Sequence, residues 1–371
     1  MVARLSGDEF AAVLCAGEAQ GEAGDIAEDL IRRISEPVLH KGRQLTVSAS
    51  VGLASYPLHS DTLSGVLKSA DLALYAAKNA GKKRARWFEP KMAVLLEERT
   101  ALKAEMAAAL TAKQIVPYYQ PKLDLLTGTI VGFEALARWR HPKRGLLTPT
   151  VFGSLFEDGE IAVGIGTAIL DQMLADMRAW LAQGLSIGRV AINCSSHEFR
   201  LAGFAQGILE ALSKADVPPA SFEVEVTEGV MLGRDAEAVS VALRHLHQAG
   251  VKISLDDFGT GYASLVHLKK FPVDEIKLDR SFVAEMDQAP NPAIIGAIVA
   301  MGLSLGLTIV AEGVETEIQA AALREIGCSH GQGYLYGKPM SSGRVPWFIR
   351  TLDPARVGKP VRPPARRLAE A

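Results

Sequence analysis

Cysteine is scarce in this sequence, and its scarcity excludes two kinds of site. The 371 residues include three cysteines, Cys15, Cys194 and Cys328, which lie far apart and form no CxxC pair. Isolated cysteines provide neither a disulfide framework nor the ligand spacing of a zinc site. We therefore predict a protein of the reducing cytoplasm, without disulfides.

Net charge and long apolar runs are also lacking. The formal net charge of -2 gives no broad basic surface for a nucleic-acid polymer or an anionic membrane. We find no signal peptide and no apolar run long enough to cross a bilayer, because glycines and Ser304 interrupt residues 293–310. With 48% hydrophobic and 22% charged residues, the sequence predicts a soluble globular chain of about two or three domains.

One stretch, residues 252–280, concentrates the polar groups that suggest chemistry. A short apolar run ends in two adjacent carboxylates, Asp256 and Asp257, and a glycine-rich loop follows. A second apolar run carries Lys277 and then Asp279. Adjacent carboxylates at a strand end are costly unless a cation neutralises them, although Asp257 could instead cap the next helix. We interpret this stretch as half of a metal site.

The rest of the chain alternates predicted strands and helices, which is typical of a βα barrel. The predicted strands are residues 116–125, 130–138, 189–194, 222–227, 252–256, 275–278, 308–311 and 331–335. The predicted helices are residues 163–184, 204–214, 235–249, 292–305 and 315–326. Eight strands in about 240 residues predict an α/β protein with a TIM-like (β/α)8 barrel. The turn at Thr127 and Gly128 is too short for a helix, so the first strand should be antiparallel to the second.

Polar side chains recur near the ends of these predicted strands. In chain order they are Glu134, Asn193, Glu225, Glu228, Asp256, Asp257, Lys277, Glu312, Glu315 and Gln332. Three of these residues could instead have a purely structural role. Asn193 could be a turn residue, Lys277 a surface lysine and Glu312 an acid at the start of a helix. Strand C-terminal ends meet at one face of a barrel, so that face would gather at least five carboxylates and a lysine. Oxygen donors without His or Cys favour Mg²⁺ or Mn²⁺ over zinc.

These motifs resemble those of EAL-domain cyclic-di-GMP phosphodiesterases. The matching segments are Glu134-Ala135-Leu136, Asn193, EVTE at 225–228, DDFGTGY at 256–262, Lys277 with Asp279, AEGVE at 311–315 and QGY at 332–334, within about residues 97–350. The resemblance implies hydrolysis of cyclic di-GMP to linear pGpG with two Mg²⁺ or Mn²⁺ ions per site. It also implies a homodimer of the EAL domain, formed through the loop at 259–265.

The resemblance further implies a role for each site residue. The implied metal ligands are Glu134, Asn193, Glu225, Asp256, Asp257 and Glu312, with Asp256 bridging the two ions. Lys277 would hold the attacking water or the phosphate and is implied to be catalytic together with Glu312 and Glu134. The implied substrate contacts are Gln120, Leu136, Arg138 and Gln332. Glu228 and Glu315 would stabilise the neighbouring loop.

The N-terminal residues resemble the second half of a GGDEF diguanylate cyclase domain. The matching segments are ARLSGDEF at 3–10, SASVGLASYP at 48–57 and ADLALYAAKNAGKKR at 70–84. The residue pattern predicts a hairpin turn at 4–10, a helix over 22–34, a strand over 44–56 and an amphipathic helix over 70–79. The chain starts at the motif, and Ser6 stands where that family has a glycine, so we expect no cyclase activity. The predicted organisation is a partial α/β GGDEF-like domain (1–91), a helical linker (92–112), the EAL barrel (113–352) and a disordered tail (353–371).

Two other functions remain compatible with the sequence. The first is a catalytically silent cyclic-di-GMP receptor that signals through its partner domain. Receptors of that kind typically lose metal ligands, and every metal position is retained here, although residues 152–157 depart from the family sequence in a segment that lines the mouth. The second is a bifunctional cyclase and hydrolase, which the partial cyclase domain disfavours.

Overall fold

The computed structural model describes residues 1–14, 20–233, 235–259, 270–288 and 291–352. Most of the predicted dimerisation loop at 259–265 and all of the predicted tail at 353–371 lie outside these residues. The chain divides into two compact units, residues 1–102 and residues 103–371, and each is described by itself below. No helix in the described ranges has the length and apolar character needed to span a membrane.

The first unit contains short strands that pair two by two. The strands are β1 (Val2–Ser6), β2 (Glu9–Ala12), β3 (Val38–His40), β4 (Arg43–Leu45), β5 (Val51–Leu53) and β6 (Ala85–Trp87). The helices are α1 (Gln20–Ile34), α2 (Leu63–Asn79) and α3 (Pro90–Thr111), which continues into the second unit. β1 with β2 and β3 with β4 are antiparallel, whereas β5 and β6 are parallel. The single strand predicted at 44–56 is wrong in extent, because residues 46–50 separate β4 from β5.

The predicted hairpin at residues 4–10 is confirmed. Gly7 adopts the positive φ of the turn, at 47°, while Ser6 belongs to β1. Ser6, at the position of the family's first glycine, therefore does not adopt a left-handed backbone conformation, so the substitution causes no strain there. Both strands of the hairpin are largely exposed, and Phe10 has 66% of its surface accessible. The buried side chains of the unit come mainly from α1 and α2, at Ala23, Ala27, Ile31, Leu72, Ala73 and Ala77.

Eight strands of the second unit close into a barrel. They are β7 (Ile115–Asp124), β8 (Ile130–His141), β10 (Arg189–Asn193), β11 (Phe222–Thr227), β12 (Lys252–Phe258), β13 (Glu275–Leu278), β14 (Thr308–Ala311) and β15 (His330–Gln332). Each pairs with the next in this order, and β15 pairs with β7 to complete the ring. A short strand, β9 (Gly145–Leu147), extends β8 outside it. The predicted TIM-like barrel is confirmed, although the last strand ends at Gln332 instead of continuing to residue 335.

Helices follow most of the barrel strands. In the described residues they are α4 (Pro149–Phe152), α5 (Gly159–Ala182), α6 (Ser196–Phe199), α7 (Phe204–Ala215), α8 (Glu228–Met231), α9 (Ala236–Gln248), α10 (Arg280–Ala284), α11 (Asn291–Ser304), α12 (Glu317–Ile326) and α13 (Val345–Thr351). Helix α5 illustrates how they are held, since Ile161, Ile165, Ile169, Met173 and Met177 are all buried at four-residue spacing. That spacing places them on one apolar face, which packs inward.

The first barrel strand runs against both of its neighbours. β7 is antiparallel to β8, as predicted from the short turn, and also antiparallel to β15, while the other pairs of the ring are parallel. Asp124 shapes the turn, because its Oδ1 accepts hydrogen bonds from the N–H groups of Leu126 (2.9 Å) and Thr127 (2.7 Å). Gly128 supplies the positive φ of 69°. Because β7 runs opposite to β8, later residues of β7 lie further from the C-terminal end of β8 and so deeper in the barrel.

The strands alternate apolar and polar side chains, yet both sets are buried. In β11, Phe222, Val224 and Val226 alternate with Glu223 and Glu225, and all five are at most 2% exposed. Successive side chains of a strand point to opposite faces, so the apolar set packs outward against the helices. The polar set therefore fills the barrel interior, where charges must find partners.

The close approach of β8 and β10 at Gly132 can be tested by substitution. A Cβ atom there would lie 2.2 Å from the backbone oxygen of Arg189, in the pair β8–β10. We expect Gly132→Ala to lower the free energy of unfolding by about 1–3 kcal/mol, because the strands would have to separate. Urea unfolding followed by tryptophan fluorescence measures this change.

Gly207→Ala is the matched control for this prediction. Gly207 lies inside α7, and an added Cβ would meet nothing within 4 Å. Its substitution should leave stability unchanged or raise it by about 0.5–1 kcal/mol, since alanine favours the helix. Equal effects of the two substitutions would contradict the close approach at Gly132.

Candidate metal-binding active site

A single lysine lies among four carboxylates inside the barrel. Lys277, in β13, is 1% exposed. Its Nζ lies 2.7 Å from Glu312 Oε1, 2.8 Å from Glu225 Oε2, 3.1 Å from Asp256 Oδ1 and 3.5 Å from Glu134 Oε2. These five residues come from five different strands or strand ends, and their polar atoms converge on one point.

The local backbone of β12 explains how two adjacent aspartates reach the same site. The pairing of β12 with β13 is irregular between Leu255 and Phe258, which is where an extra residue re-aims side chains. Asp257 has a positive φ of 54°, a conformation that aspartate tolerates better than most residues. As a result, oxygens of Asp256, Asp257 and Glu312 all lie within 4.8 Å of one another. The carboxylate of Asp256 also accepts a 2.9 Å hydrogen bond from the Asp257 N–H.

Two amide side chains bond to Glu134 at the wall of the site, and a third bonds to one of them. Asn193 Nδ2 donates to Glu134 Oε1 at 2.7 Å, and Gln332 Nε2 donates to Glu134 Oε2 at 2.5 Å. Gln332 Nε2 also lies 3.3 Å from Gln120 Oε1, and Gln120 Nε2 donates to the Gly337 carbonyl. Gln120 and Gln332, predicted as substrate contacts, are thus both buried and belong to the hydrogen-bond chain that orients Glu134.

The other two predicted substrate contacts lie further along β8. Glu134, Leu136 and Arg138 occupy alternate positions of the strand and therefore share its inner face. Leu136 and Arg138 are half-buried, and Arg138 Nη1 donates to the Ala137 carbonyl at 2.8 Å. Burial lowers the pKa of Arg138 from its usual range, while Tyr334, Glu134 and Tyr118 act in the opposite direction. An apolar group and a guanidinium at the opening can contact a base and a phosphate, respectively.

The two predicted loop-stabilising acids differ in their surroundings. Glu228 is 5% exposed, and its Oε1 accepts a 3.0 Å hydrogen bond from the N–H of Gly259, two residues after Asp257. Glu315 is exposed, and its backbone N–H donates to Gln319 Oε1 at the start of α12. The role of Glu315 in stabilising a loop remains a prediction.

Below the site lies a second charged layer that the sequence analysis missed. Lys122 of β7 is 3% exposed and contacts Glu225 Oε1 at 2.8 Å. It also contacts Glu223 Oε1 at 2.6 Å and Glu275 Oε1 at 3.4 Å. A signal for this layer was present, because Lys122, Glu223 and Glu275 each stand two residues from a candidate already chosen, on the same face of its strand.

Charge in the interior is unequally balanced. Burial raises the pKa of Glu225, but Lys122 and Lys277 outweigh it and bring that pKa to about 2. Burial raises the pKa of Glu312 to about 8, because its one lysine neighbour does not outweigh burial and the charges of Asp256 and Glu134. Burial and the neighbouring Asp256 also raise the pKa of Asp257. Asp257 and Glu312, at the mouth, therefore have too little positive charge beside them to keep the pKa of each carboxyl at its usual value.

The residues at the mouth fit divalent cations. The donors there are carboxylate and amide oxygens, which are the ligands that Mg²⁺ and Mn²⁺ prefer. Asp256, Asp257 and Glu312 could share one cation, since their oxygens lie within 4.8 Å of each other. Glu134, Asn193 and Glu225 line the adjacent wall and could hold another. A cation would also supply the positive charge whose shortage raises the pKa of Glu312.

Comparison with known proteins identifies relatives over most of the chain. Residues 103–339 match the family described as EAL domain, and residues 1–84 match the diguanylate cyclase, GGDEF domain. The bifunctional diguanylate cyclase/cyclic di-GMP phosphodiesterase MucR of Pseudomonas aeruginosa is 42% identical over 93% of this chain and 50% of its own length. The cyclic di-GMP phosphodiesterase PdeR of Escherichia coli is 33% identical over 96% of this chain and 53% of its own length. This chain thus spans about half the length of these curated relatives.

A solved structure agrees with the sequence relatives. It is described as the PaMucR phosphodiesterase in a c-di-GMP complex, and it is 43% identical with a TM-score of 0.63. The match covers 66% of this chain and 99% of that one. The EAL match extends over 103–339, which is more than half of the sequence and includes every residue of the cluster around Lys277. This chain therefore belongs to the EAL-domain family, with a GGDEF-domain match preceding its barrel.

Proposed function

We propose that this protein hydrolyses one phosphodiester bond of cyclic di-GMP to give linear pGpG, using two Mg²⁺ or Mn²⁺ ions, in bacterial second-messenger signalling. The observation that carries the proposal is the convergence of Asp256, Asp257 and Glu312 beside the buried Lys277. The relatives named above as cyclic di-GMP phosphodiesterases support the choice of substrate.

The proposed metal ligands fall into two groups around a shared carboxylate. Glu134, Asn193 and Glu225 would hold the first cation, Asp257 and Glu312 the second, and Asp256 both. Bound there, the cations would supply Lewis acidity toward a phosphate oxygen and lower the pKa of a nearby water. The remaining roles fall to the residues of the chain.

Lys277 acts in this proposal as a fixed positive charge. Burial lowers its pKa, but Asp256, Glu134, Glu225 and Glu312 outweigh burial and raise that pKa well above its usual value. Because these neighbours favour the charged ammonium, we assign Lys277 the role of a hydrogen-bond donor and not that of a base. It donates hydrogen bonds to the attacking water or to the phosphate, where negative charge develops during the reaction.

Substrate orientation is assigned to the residues nearer the opening. Leu136 would pack against a guanine, and Arg138 would contact a guanine edge or a phosphate. Gln120 and Gln332 would orient Glu134 through the bonds of Gln332 Nε2, whereas Gln332 Oε1 is buried without a hydrogen-bond partner among the described residues and would be the atom left for the substrate. Self-association of the barrel through residues 259–265 stays a prediction, since residues 260–269 lie outside the described structure.

The central test is the product formed from cyclic di-GMP. Incubation of the 371-residue chain with cyclic di-GMP and Mg²⁺ or Mn²⁺, followed by chromatography, should yield pGpG. Lys277→Met should reduce kcat by at least about 100-fold, as expected for a lost electrostatic contact to the reacting groups. Circular dichroism and thermal unfolding check that the variant is folded.

Lys252→Met is the control of the same type. Lys252 starts β12, is 40% exposed, and pairs with Asp274 at 2.8 Å. Exposed pairs contribute little, so kcat should change by less than about twofold. If the unaltered chain binds cyclic di-GMP with either metal but forms no pGpG, it is a receptor and the hydrolase proposal fails.

Metal replacement gives an independent prediction. Ca²⁺ should support less than about 1% of the Mn²⁺ rate and should inhibit when added with Mn²⁺. Its bonds are longer and its geometry looser, so the water and phosphate would be poorly aligned. Initial rates at fixed Mn²⁺ and increasing Ca²⁺ measure the effect. Equal rates with the two metals would contradict the proposal that the cations align the water and the phosphate.

The first unit should make no cyclic di-GMP in this chain. Its β1–β2 hairpin and its β3–β4 pair are separate and largely exposed in the described residues. GTP incubated with the Lys277→Met variant, which should not degrade any product, should yield none detectable by chromatography. Formation of cyclic di-GMP would instead support the bifunctional alternative.

A further inference from the structure

Lys122 crosses the interior of the barrel. It lies in β7, and its Nζ contacts carboxylates on β11 and β13, each three strands away around the ring. The side chain is 4% exposed, so its charge is compensated by these carboxylates and not by water. Its contacts are Glu223 Oε1 at 2.6 Å, Glu225 Oε1 at 2.8 Å and Glu275 Oε1 at 3.4 Å.

The three glutamates differ in what else they touch. Glu223 Oε2 lies 3.9 Å from Arg189 Nε, and Glu275 Oε2 lies 3.8 Å from His330 Nδ1. These two belong to the layer below the site. Glu225 Oε2, in contrast, accepts a 2.8 Å hydrogen bond from Lys277 in the site itself. Glu225 is therefore the one contact of Lys122 that also faces the proposed cations.

Two lysines thus fix the Glu225 carboxylate from opposite ends. Lys122 holds Oε1 from below, and Lys277 approaches Oε2 from the mouth. A carboxylate held at one oxygen cannot rotate freely, so it presents a defined lone pair at the other. Groups that bond to a metal ligand in this way orient it and set the affinity of the site.

We infer that Lys122 is a positioning residue, which holds Oε1 of Glu225 so that Oε2 faces the first divalent cation. This inference rests on the proposed metal-dependent hydrolysis and adds a residue that neither contacts the substrate nor binds the metal. Without the ammonium, the Glu225 side chain would turn toward other partners in the interior, and the first cation would lose a preorganised ligand.

A purely electrostatic role of Lys122 would have the opposite consequence. If the lysine only balanced charge, its removal would make the interior more negative and would strengthen the binding of a cation. If it positions Glu225, its removal weakens cation binding. The sign of the change in metal affinity therefore separates the two roles.

The test is a Mn²⁺ titration of the full 371-residue chain without nucleotide, with free Mn²⁺ measured by electron paramagnetic resonance. Lys122→Met should weaken the tighter Mn²⁺ site by about 10- to 100-fold, the usual effect of losing a group that orients a ligand. The double variant Lys122→Met/Glu275→Gln removes one positive and one negative charge together, because burial raises the pKa of Glu275 but Lys122 and His330 outweigh it and hold that pKa below its usual value. It should be weakened to the same extent, because restoring the charge balance does not restore the contact to Glu225.

Glu275→Gln alone is the matched control. It changes a partner of Lys122 but keeps the contact between Lys122 and Glu225, so its Mn²⁺ affinity should stay within about threefold of the unaltered chain. Unchanged or tighter Mn²⁺ binding in the double variant would overturn the inference. If neither Lys122 variant folds, as judged by thermal unfolding, Lys122 is a structural residue and the inference is wrong.

The outcome for the unaltered chain separates this inference from the proposed function. A chain that binds no Mn²⁺ and hydrolyses no cyclic di-GMP would overturn both. A chain that does both, while the double variant binds Mn²⁺ equally well, would overturn only the positioning role of Lys122.

Discussion

The structure depends on the burial of charge inside a closed barrel. Lys277 and Lys122 are each at most 3% exposed, and both contact Glu225, which is fully buried. Removing an ion from water costs several kcal/mol, and ion pairs repay that cost only with good geometry. Apolar residues would fill the same interior at less cost. The retained charges are therefore better explained by the chemistry of the site than by stability.

This constraint organises the rest of the fold. The outer faces of the strands carry the apolar residues that pack on the helices, so stability comes largely from outside the ring. The inner faces are left for two layers of polar side chains, one at the mouth and one below it. Both layers hold more carboxylates than lysines, and burial raises the pKa of Glu312 at the mouth and of Glu223 below it to about 8.

The sequence predicted the barrel well because its signals were local. Alternating strands and helices, the short turn at Gly128 and the acidic residues at strand ends can each be recognised within a few residues. Two features were missed, because local signals show them only in part. The extent of β4 and β5 depends on pairing with β3 and β6, and the layer around Lys122 depends on contacts between residues at least 101 positions apart. The bond between Gln332 and Glu134 spans 198 positions and was not predicted, while the role of Gln332 as a substrate contact, implied by the resemblance, stays a prediction.

The reversed strand β7 has a consequence for how the protein is made. It is the first strand of the barrel in sequence, yet it pairs with β15, whose residues 330–332 are synthesised last of the eight strands. Until β15 emerges, β7 and β14 are open edges of an incomplete sheet, and such edges invite wrong pairing. The bond between Gln120 and Gln332, 212 positions apart, forms across this seam. A nascent chain therefore cannot assemble the wall that orients Glu134 until nearly the whole barrel has left the ribosome.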